Sequence, residues 1–211
     1  MVNAAGVYAD QISIMAGSGG FSIHPSKGSY YVLDKSQSSL VRSTVFQCPS
    51  KAGKGVLISP TVHGNLIVGP DAQEIQDRED TSCQQERLSF VRRTAEKTSA
   101  KVDYRESIRN FAGIRANCDR PDFIVEQSSQ VPGFFEASGI KSPGLSASPA
   151  IALELVRLLE EAGLPLPLKS DFQPRRSKIH FKDLPEQEKQ MLIRDNPSFG
   201  RVICRCETVT E

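Results

Sequence analysis

Short runs of Val, Ile, Leu and Tyr, separated by Gly, Pro or Asn, predict a series of β-strands along most of the chain. The predicted strands lie at residues 2–6, 28–33, 43–46, 55–59, 66–68, 107–116, 123–126 and 134–137. Residues 60–65 predict a hairpin turn, because Gly64 can adopt the positive φ that such turns need. The four strands between residues 28 and 68 are therefore expected to pair antiparallel.

Apolar residues at helical spacing predict helices at residues 8–16, 83–97, 146–161 and 186–194. Ser82 followed by Gln85 is typical of a capping box, in which two side chains satisfy free amides at a helix start. Between the last two helices, residues 164–176 are rich in proline and predict a linker.

Composition narrows the class of protein. With 211 residues and 38% hydrophobic content, the chain can bury a sizeable core. The net charge of +1 offers no general attraction to nucleic acid, so an anion must be recognised at a local site. No apolar run reaches the length of a membrane span and no signal peptide opens the chain, so a cytoplasmic location is expected, with peripheral membrane association left open.

The two ends of the chain predict an internal fragment of a larger protein. Cys204 and Cys206 form a Cys-x-Cys pair, which supplies only half of a four-thiolate site. Residues 2–6 read as the end of a buried strand with no preceding elements to complete a sheet. Five cysteines, an odd number, do not form a secreted disulfide framework.

Three motifs in fixed order resemble the FAD-dependent oxidoreductases of the D-amino-acid oxidase superfamily. The motifs are Asn3-Ala4-Ala5-Gly6, Phe111-Ala112-Gly113-Ile114-Arg115 and Gly139-Ile140-Lys141-Ser142-Pro143-Gly144-Leu145. Residues 54–70 most resemble the glycerol-3-phosphate dehydrogenase and L-2-hydroxyglutarate oxidase branch. The ending at residues 202–207 resembles the start of a bacterioferritin-associated-ferredoxin-like [2Fe–2S] domain.

The resemblance implies an α+β fold, with a largely antiparallel mixed sheet capped by helices and remnants of a Rossmann-type FAD lobe. Residues 1–20 would be a remnant of that lobe and residues 21–130 the substrate lobe. The expected remaining parts are a returning strand and helix at 131–163, a linker and short helix at 164–200, and a truncated [2Fe–2S] domain at 201–211. The dinucleotide fingerprint is absent from the chain, so the fragment alone is expected to be inactive.

The cofactor residues follow from the same resemblance. The turn from Gly139 to Leu145 enters a long helix, whose first amides can face an anion. In the family this turn faces the flavin ring, and the residues predicted to bind FAD here are Gly139, Ile140, Ser142, Pro143, Gly144 and Leu145, with Asn3, Ala4, Ala5 and Gly6 near its adenosine half. An ordinary strand–turn–helix connection and a small-residue strand end are the alternatives.

Arg115 is the candidate for binding the substrate's anionic group, because a guanidinium can form two parallel bonds to a carboxylate or phosphate. A surface or ion-paired arginine is the alternative. His63 could accept the alcohol proton, although a solvated turn histidine is the simpler interpretation. Cys204 and Cys206 could ligate a cluster only with further cysteines downstream, and otherwise are two free thiols.

The function expected for the intact protein is oxidation of a small anionic alcohol by hydride transfer to FAD. The resemblance places sn-glycerol 3-phosphate first as substrate, and L-2-hydroxyglutarate or another 2-hydroxy acid second. A non-catalytic electron-transfer or binding module is the competing class. The electron acceptor is not indicated by the sequence.

Overall fold

The computed structural model describes residues 1–48, 55–175, 179–204 and 209–211. These residues form two compact units, Met1–Pro165 and Leu166–Glu211. The first unit confirms the predicted α+β class, with antiparallel sheets and helices. Within the described ranges, no helix combines the length and the apolar character that crossing a membrane requires.

The first unit contains strands and helices in mixed order. Its strands are β1 (Val2–Asn3), β2 (Ile23–Leu33), β3 (Leu57–Pro60), β4 (Leu66–Gly69), β5 (Gln73–Glu74), β6 (Ser107–Cys118), β7 (Ile124–Gln127) and β8 (Phe135–Ser138). Its α-helices are α1 (Ala9–Met15), α2 (Gln85–Glu96) and α3 (Gly144–Glu161).

A five-stranded antiparallel sheet forms the larger part of this unit. Its strands follow the order β3-β4-β2-β5, and β6 pairs with β2 along almost the whole length of both. Helix α2 packs on this sheet and closes an apolar core. The buried core residues are Leu33, Val56, Ile58, Leu66, Val68, Val91, Ala95 and Val102. Burial of these side chains drives the association of helix and sheet.

A smaller three-stranded sheet has the order β1-β8-β7. Strands β1 and β8 run parallel, with Asn3 opposite Glu136, whereas β7 and β8 are antiparallel. Helix α3 packs against β7 and β8, and α1 contacts β1 and β8. Strand β7, which the sequence groups with the substrate lobe, thus pairs in the sheet that contains β1 and β8.

Two local predictions are wrong. Residues 43–46 form no strand, because only Val45 pairs, in a single bridge with Ile58, while Phe46 is half exposed. The capping box is also absent, since α2 begins at Gln85 without a side-chain cap. The Ser82 hydroxyl instead donates to the carboxylate of Asp80, at 2.5 Å, and its oxygen accepts from the Lys27 ammonium, at 3.3 Å, so a charged donor takes the place of the helix amide.

The second unit is small and mostly exposed. It contains α4 (Glu186–Asp195) and an antiparallel pair of short strands, β9 (Val202–Cys204) and β10 (Val209–Thr210). The rings of Phe181 and Phe199 stack with their centroids 6.0 Å apart. Cys206 and the side chain of Cys204 lie outside the described residues, so the proposed cluster ligands are not tested by this structure.

Candidate active site

The predicted cofactor segments leave the small sheet at one edge. Because β1 and β8 are adjacent and parallel, their carboxyl ends lie side by side. Residues 4–6 follow β1 and residues 139–143 follow β8. Ligands of α/β sheets bind outside the carboxyl ends of the strands, so this edge is where a dinucleotide would be expected.

The turn after β8 has the geometry of an anion-binding helix start. Gly139 has a φ of +64°, and a side chain there would also meet the Cβ of Cys118 at 2.9 Å. Helix α3 then begins at Gly144 and continues for 18 residues. Within the described residues the amides of Leu145 and Ser146 have no backbone acceptor, and Leu145 is almost fully exposed. Free amides at the positive end of a long helix can bind an anionic group.

Asn3 joins the two parallel strands. Its side-chain amide donates to the Glu136 carboxylate and to the carbonyl of Ala9, both at 2.8 Å, and its oxygen accepts from the amide of Ala5. Ser138 donates to the same Glu136 oxygen at 2.7 Å. Because the Asn3 side chain is committed to these bonds, Asn3 shapes the 4–6 turn, and the turn itself is the part that can face a ligand.

A cleft of about 600 Å³ lies beside the larger sheet. Its lining includes Arg115 from β6, Arg87 and Lys97 from the α2 region, and Ser142 from the turn that precedes α3. Apolar walls come from Tyr30, Phe46, Val56, Leu57, Pro70 and Phe90. The structure therefore brings the predicted anion-binding arginine and the predicted cofactor turn to one cavity, which their separation in the sequence could not show.

Arg115 extends across the neighbouring strand. Its guanidinium covers Gly28 of β2, where a Cβ would lie only 2.8 Å from the Arg115 Cζ. Within the described part of the chain its single hydrogen bond runs from Nη1 to the carbonyl oxygen of Asp71, at 3.5 Å. Arg115 is half-buried without a carboxylate partner there, so its positive charge is available to an anion entering the cleft.

Asp71 and Arg87 form a second polar group that sequence reasoning missed. The Asp71 carboxylate is buried, accepts from the amide of Ser29 at 2.6 Å and from Arg87 Nε at 2.5 Å. Arg87 Nη2 also donates to the carbonyl of Ala72, at 2.9 Å. Arg87 belongs to no motif that suggests ligand binding, so the sequence gives no signal of this contact.

The histidines lie elsewhere. His63 is exposed in the turn between β3 and β4, and no histidine belongs to the described lining of the cleft. Within the described ranges, no group of three or more His, Cys, Asp or Glu residues could hold a metal ion. The structure thus places Arg115 and Ser142 together and leaves His63 apart from them.

A largely buried ion pair ties α1 to the segment after β5 and to the first residue of β2. Arg78 Nη2 donates to Asp10 Oδ2 at 2.8 Å, and Asp10 also accepts from the amide of Ile23 at 3.0 Å. The Arg78 hydrogen bonds lower the pKa of Asp10 to about 2, from an ordinary value of 3.8. Another pair, Lys27 with Asp80 at 2.6 Å, neutralises the most deeply buried cation of the sheet.

Comparison with known proteins gives a match to one family model and to several similar proteins. Residues 1–158 match the family model described as FAD dependent oxidoreductase. The chain is 43% identical, over its full length, to a glycerol 3-phosphate dehydrogenase of Caloramator mitchellensis, and it covers 44% of that protein. It is 28% identical to the mitochondrial L-2-hydroxyglutarate dehydrogenase of Arabidopsis thaliana, matching 62% of this chain and 30% of that protein.

Among solved structures, the FAD-bound, dithionite-reduced L-α-glycerophosphate oxidase of Mycoplasma pneumoniae is similar, with a TM-score of 0.69 and 33% identity. The match covers 75% of this chain and 42% of that one. The chain thus spans less than half the length of the relatives it matches. The family match ends at residue 158, before the Cys-x-Cys pair, so the [2Fe–2S] interpretation of that pair stays a prediction.

Proposed function

The chain belongs to the family of FAD-dependent oxidoreductases, and from this premise we propose that the intact protein oxidises sn-glycerol 3-phosphate. FAD, when bound, would accept the hydride that leaves the carbon bearing the hydroxyl. In this proposal β1, β8 and α3 belong to the FAD lobe, and the five-stranded sheet with α2 forms the substrate lobe. The similarity to a glycerol 3-phosphate dehydrogenase and to a glycerophosphate oxidase supports the choice of substrate.

One observation carries the proposal, namely that Arg115 and Ser142 line the same cleft. The first amides of α3 would hold the flavin edge where negative charge develops during the reaction. Arg115 would hold the anionic end of the substrate, so that the alcohol carbon lies between the two groups. Binding the non-reacting phosphate in this way orients the reacting carbon, which is how remote binding energy contributes to rate.

The proton of the alcohol needs a separate acceptor. His63 is exposed and outside the described cleft lining, so it is a weak candidate for that base. We assign the base to no residue of this chain.

A 2-hydroxy acid such as L-2-hydroxyglutarate is the second candidate substrate, supported by the Arabidopsis relative. An arginine can bind a carboxylate as well as a phosphate, so Arg115 alone does not separate the two. A non-catalytic module with a [2Fe–2S] cluster at Cys204 and Cys206 is the remaining alternative.

The test uses the full-length flavoprotein under anaerobic conditions. Flavin absorbance is followed after mixing with sn-glycerol 3-phosphate, L-2-hydroxyglutarate, L-lactate or uncharged glycerol. Rapid reduction by sn-glycerol 3-phosphate, with slow reduction by the others, supports the proposal. Faster reduction by a 2-hydroxy acid would show that the second candidate is the substrate. No flavin reduction by any of these compounds would favour the non-catalytic module.

A further inference from the structure

We propose that Arg87 is a second anion-binding residue, which acts with Arg115 and makes the cleft selective for a phosphate group over a single carboxylate. This inference rests on the proposed function, because it names the chemistry of the substrate's charged end. It starts from the short segment Asp71–Ala72 between β4 and β5, to which both arginines are bonded.

Two consecutive carbonyls of this segment hold the two guanidinium groups. Arg115 Nη1 donates to the carbonyl oxygen of Asp71 at 3.5 Å, and Arg87 Nη2 donates to that of Ala72 at 2.9 Å. The two guanidinium groups are thus anchored to neighbouring residues of one segment. Both side chains line the same cleft.

Arg87 is fixed in place before any ligand arrives. Its Nε donates to the buried Asp71 carboxylate at 2.5 Å, and its guanidinium lies over the ring of Phe90, 5.4 Å from the centroid. The Arg87 side chain nevertheless keeps 28% of its surface exposed. No bond within the described residues involves its Nη1, so this donor group can bond to a ligand. A guanidinium that is already oriented loses little entropy on binding.

The charges of the cleft favour a phosphate. Arg87, Lys97 and Arg115 contribute three positive charges, and Asp71 contributes one negative charge. The resulting excess is two positive charges. A phosphate monoester carries about −1.5 to −2 at neutral pH on one tetrahedral group, whereas a carboxylate carries one charge. A dicarboxylate also carries two charges, but on separate ends, and therefore cannot place both of them between two neighbouring arginines.

The experiment measures binding of inorganic phosphate to the full-length protein by isothermal titration calorimetry, with acetate as the carboxylate probe. Four proteins are compared: wild type, Arg87→Lys, the double variant Arg87→Gln with Asp71→Asn, and Arg93→Gln. The double variant leaves no buried charge unpaired, because both partners become neutral amides that can still bond to each other. Arg93 is exposed on the same helix and is outside the described lining, so Arg93→Gln tests whether a positive charge elsewhere on α2 affects phosphate binding.

We expect wild type and Arg93→Gln to bind phosphate alike, and both Arg87 variants to bind it at least about tenfold more weakly. Acetate binding should be weaker in wild type and change less. Phosphate binding that is equal in all four proteins, or absent from wild type, would overturn the inference, as would an equal loss for acetate. Unfolding midpoints and flavin content exclude misfolding as the cause.

The proposed function can fail separately. If phosphate binding depends on Arg87 but sn-glycerol 3-phosphate does not reduce the flavin, the function is wrong and the anion site stands. If sn-glycerol 3-phosphate reduces the flavin with the same KM in wild type and Arg87→Lys, the function stands and the inference about Arg87 is wrong.

Discussion

The contact between Arg115 and Gly28 provides a sharp test of the site, through the substitution Gly28→Ala. Gly28 has no positive φ, so the backbone accepts alanine without strain. The added Cβ would lie 2.8 Å from the Arg115 Cζ, 2.9 Å from Nη1 and closer still to Nη2. Ordinary contact begins at 3.4 Å, so the guanidinium must retreat from its present place above the strand.

The expected changes in stability and activity depend on which atoms the new Cβ displaces. A displaced guanidinium at the end of a flexible side chain costs little folding energy, and Gly→Ala at a compatible position gains roughly 0.4–1 kcal/mol from the unfolded state. Stability should therefore stay within about 1 kcal/mol of wild type. Misplacing a substrate-positioning group by about 1 Å can lower the rate about 100-fold. We expect a loss of about 10- to 100-fold in kcat/KM for sn-glycerol 3-phosphate.

The matched control is Gly113→Ala. Gly113 pairs directly with Gly28 across β2 and β6, and a Cβ there meets nothing within 4 Å. Both variants are made in the full-length protein and compared by steady-state kinetics and urea unfolding. Equal kcat/KM values for the two variants, at equal stability, would refute the placement of Arg115 at the substrate.

Three further predictions concern individual side chains. Arg115→Lys should weaken transition-state binding, measured as a fall in kcat/KM, by about 2–4 kcal/mol, because an ammonium cannot form two parallel bonds. Flavin content should not change, and an unchanged kcat/KM would show that Arg115 does not bind the substrate. The Asp10 pKa is depressed to about 2, so the ionised Asp10 adds about 2 kcal/mol to the free energy of unfolding above about pH 4. This contribution is lost as the pH falls towards 2. The free energy of unfolding, measured between about pH 5 and pH 2, should fall by this amount in wild type and not in Asp10→Asn. The same pH dependence in both proteins would contradict the prediction. His63→Asn should keep kcat within about threefold, since His63 is exposed outside the cleft lining; a loss of about 100-fold would instead identify it as the base.

Local patterns were sufficient to predict most of the secondary structure. The Tyr- and Val-rich run of β2 and the spacing of Leu88 and Val91 in α2 each reflect burial of one face, which a sequence records directly. The sequence does not predict the first residues of β2, because Pro25, Ser26 and Lys27 interrupt the apolar strand pattern. Lys27 is buried there by its ion pair with Asp80, a partner 53 residues away that periodicity cannot show.

The site was predictable only where a motif marked it. The resemblance indicated Arg115 and the turn at residues 139–145, but not that Arg115 rests on Gly28. Arg87 has no motif, because its role depends on the carboxylate and carbonyls of the β4–β5 connection. Such contacts are formed by the tertiary fold and are absent from any short window of sequence.

The most direct test of the central claim is a deuterium isotope effect on flavin reduction. The full-length protein is mixed anaerobically with sn-glycerol 3-phosphate that carries either hydrogen or deuterium on the secondary alcohol carbon. If hydride passes from that carbon to FAD, the flavin absorbance will bleach with both substrates, and more slowly with the deuterated one. No bleaching with either substrate would contradict the account.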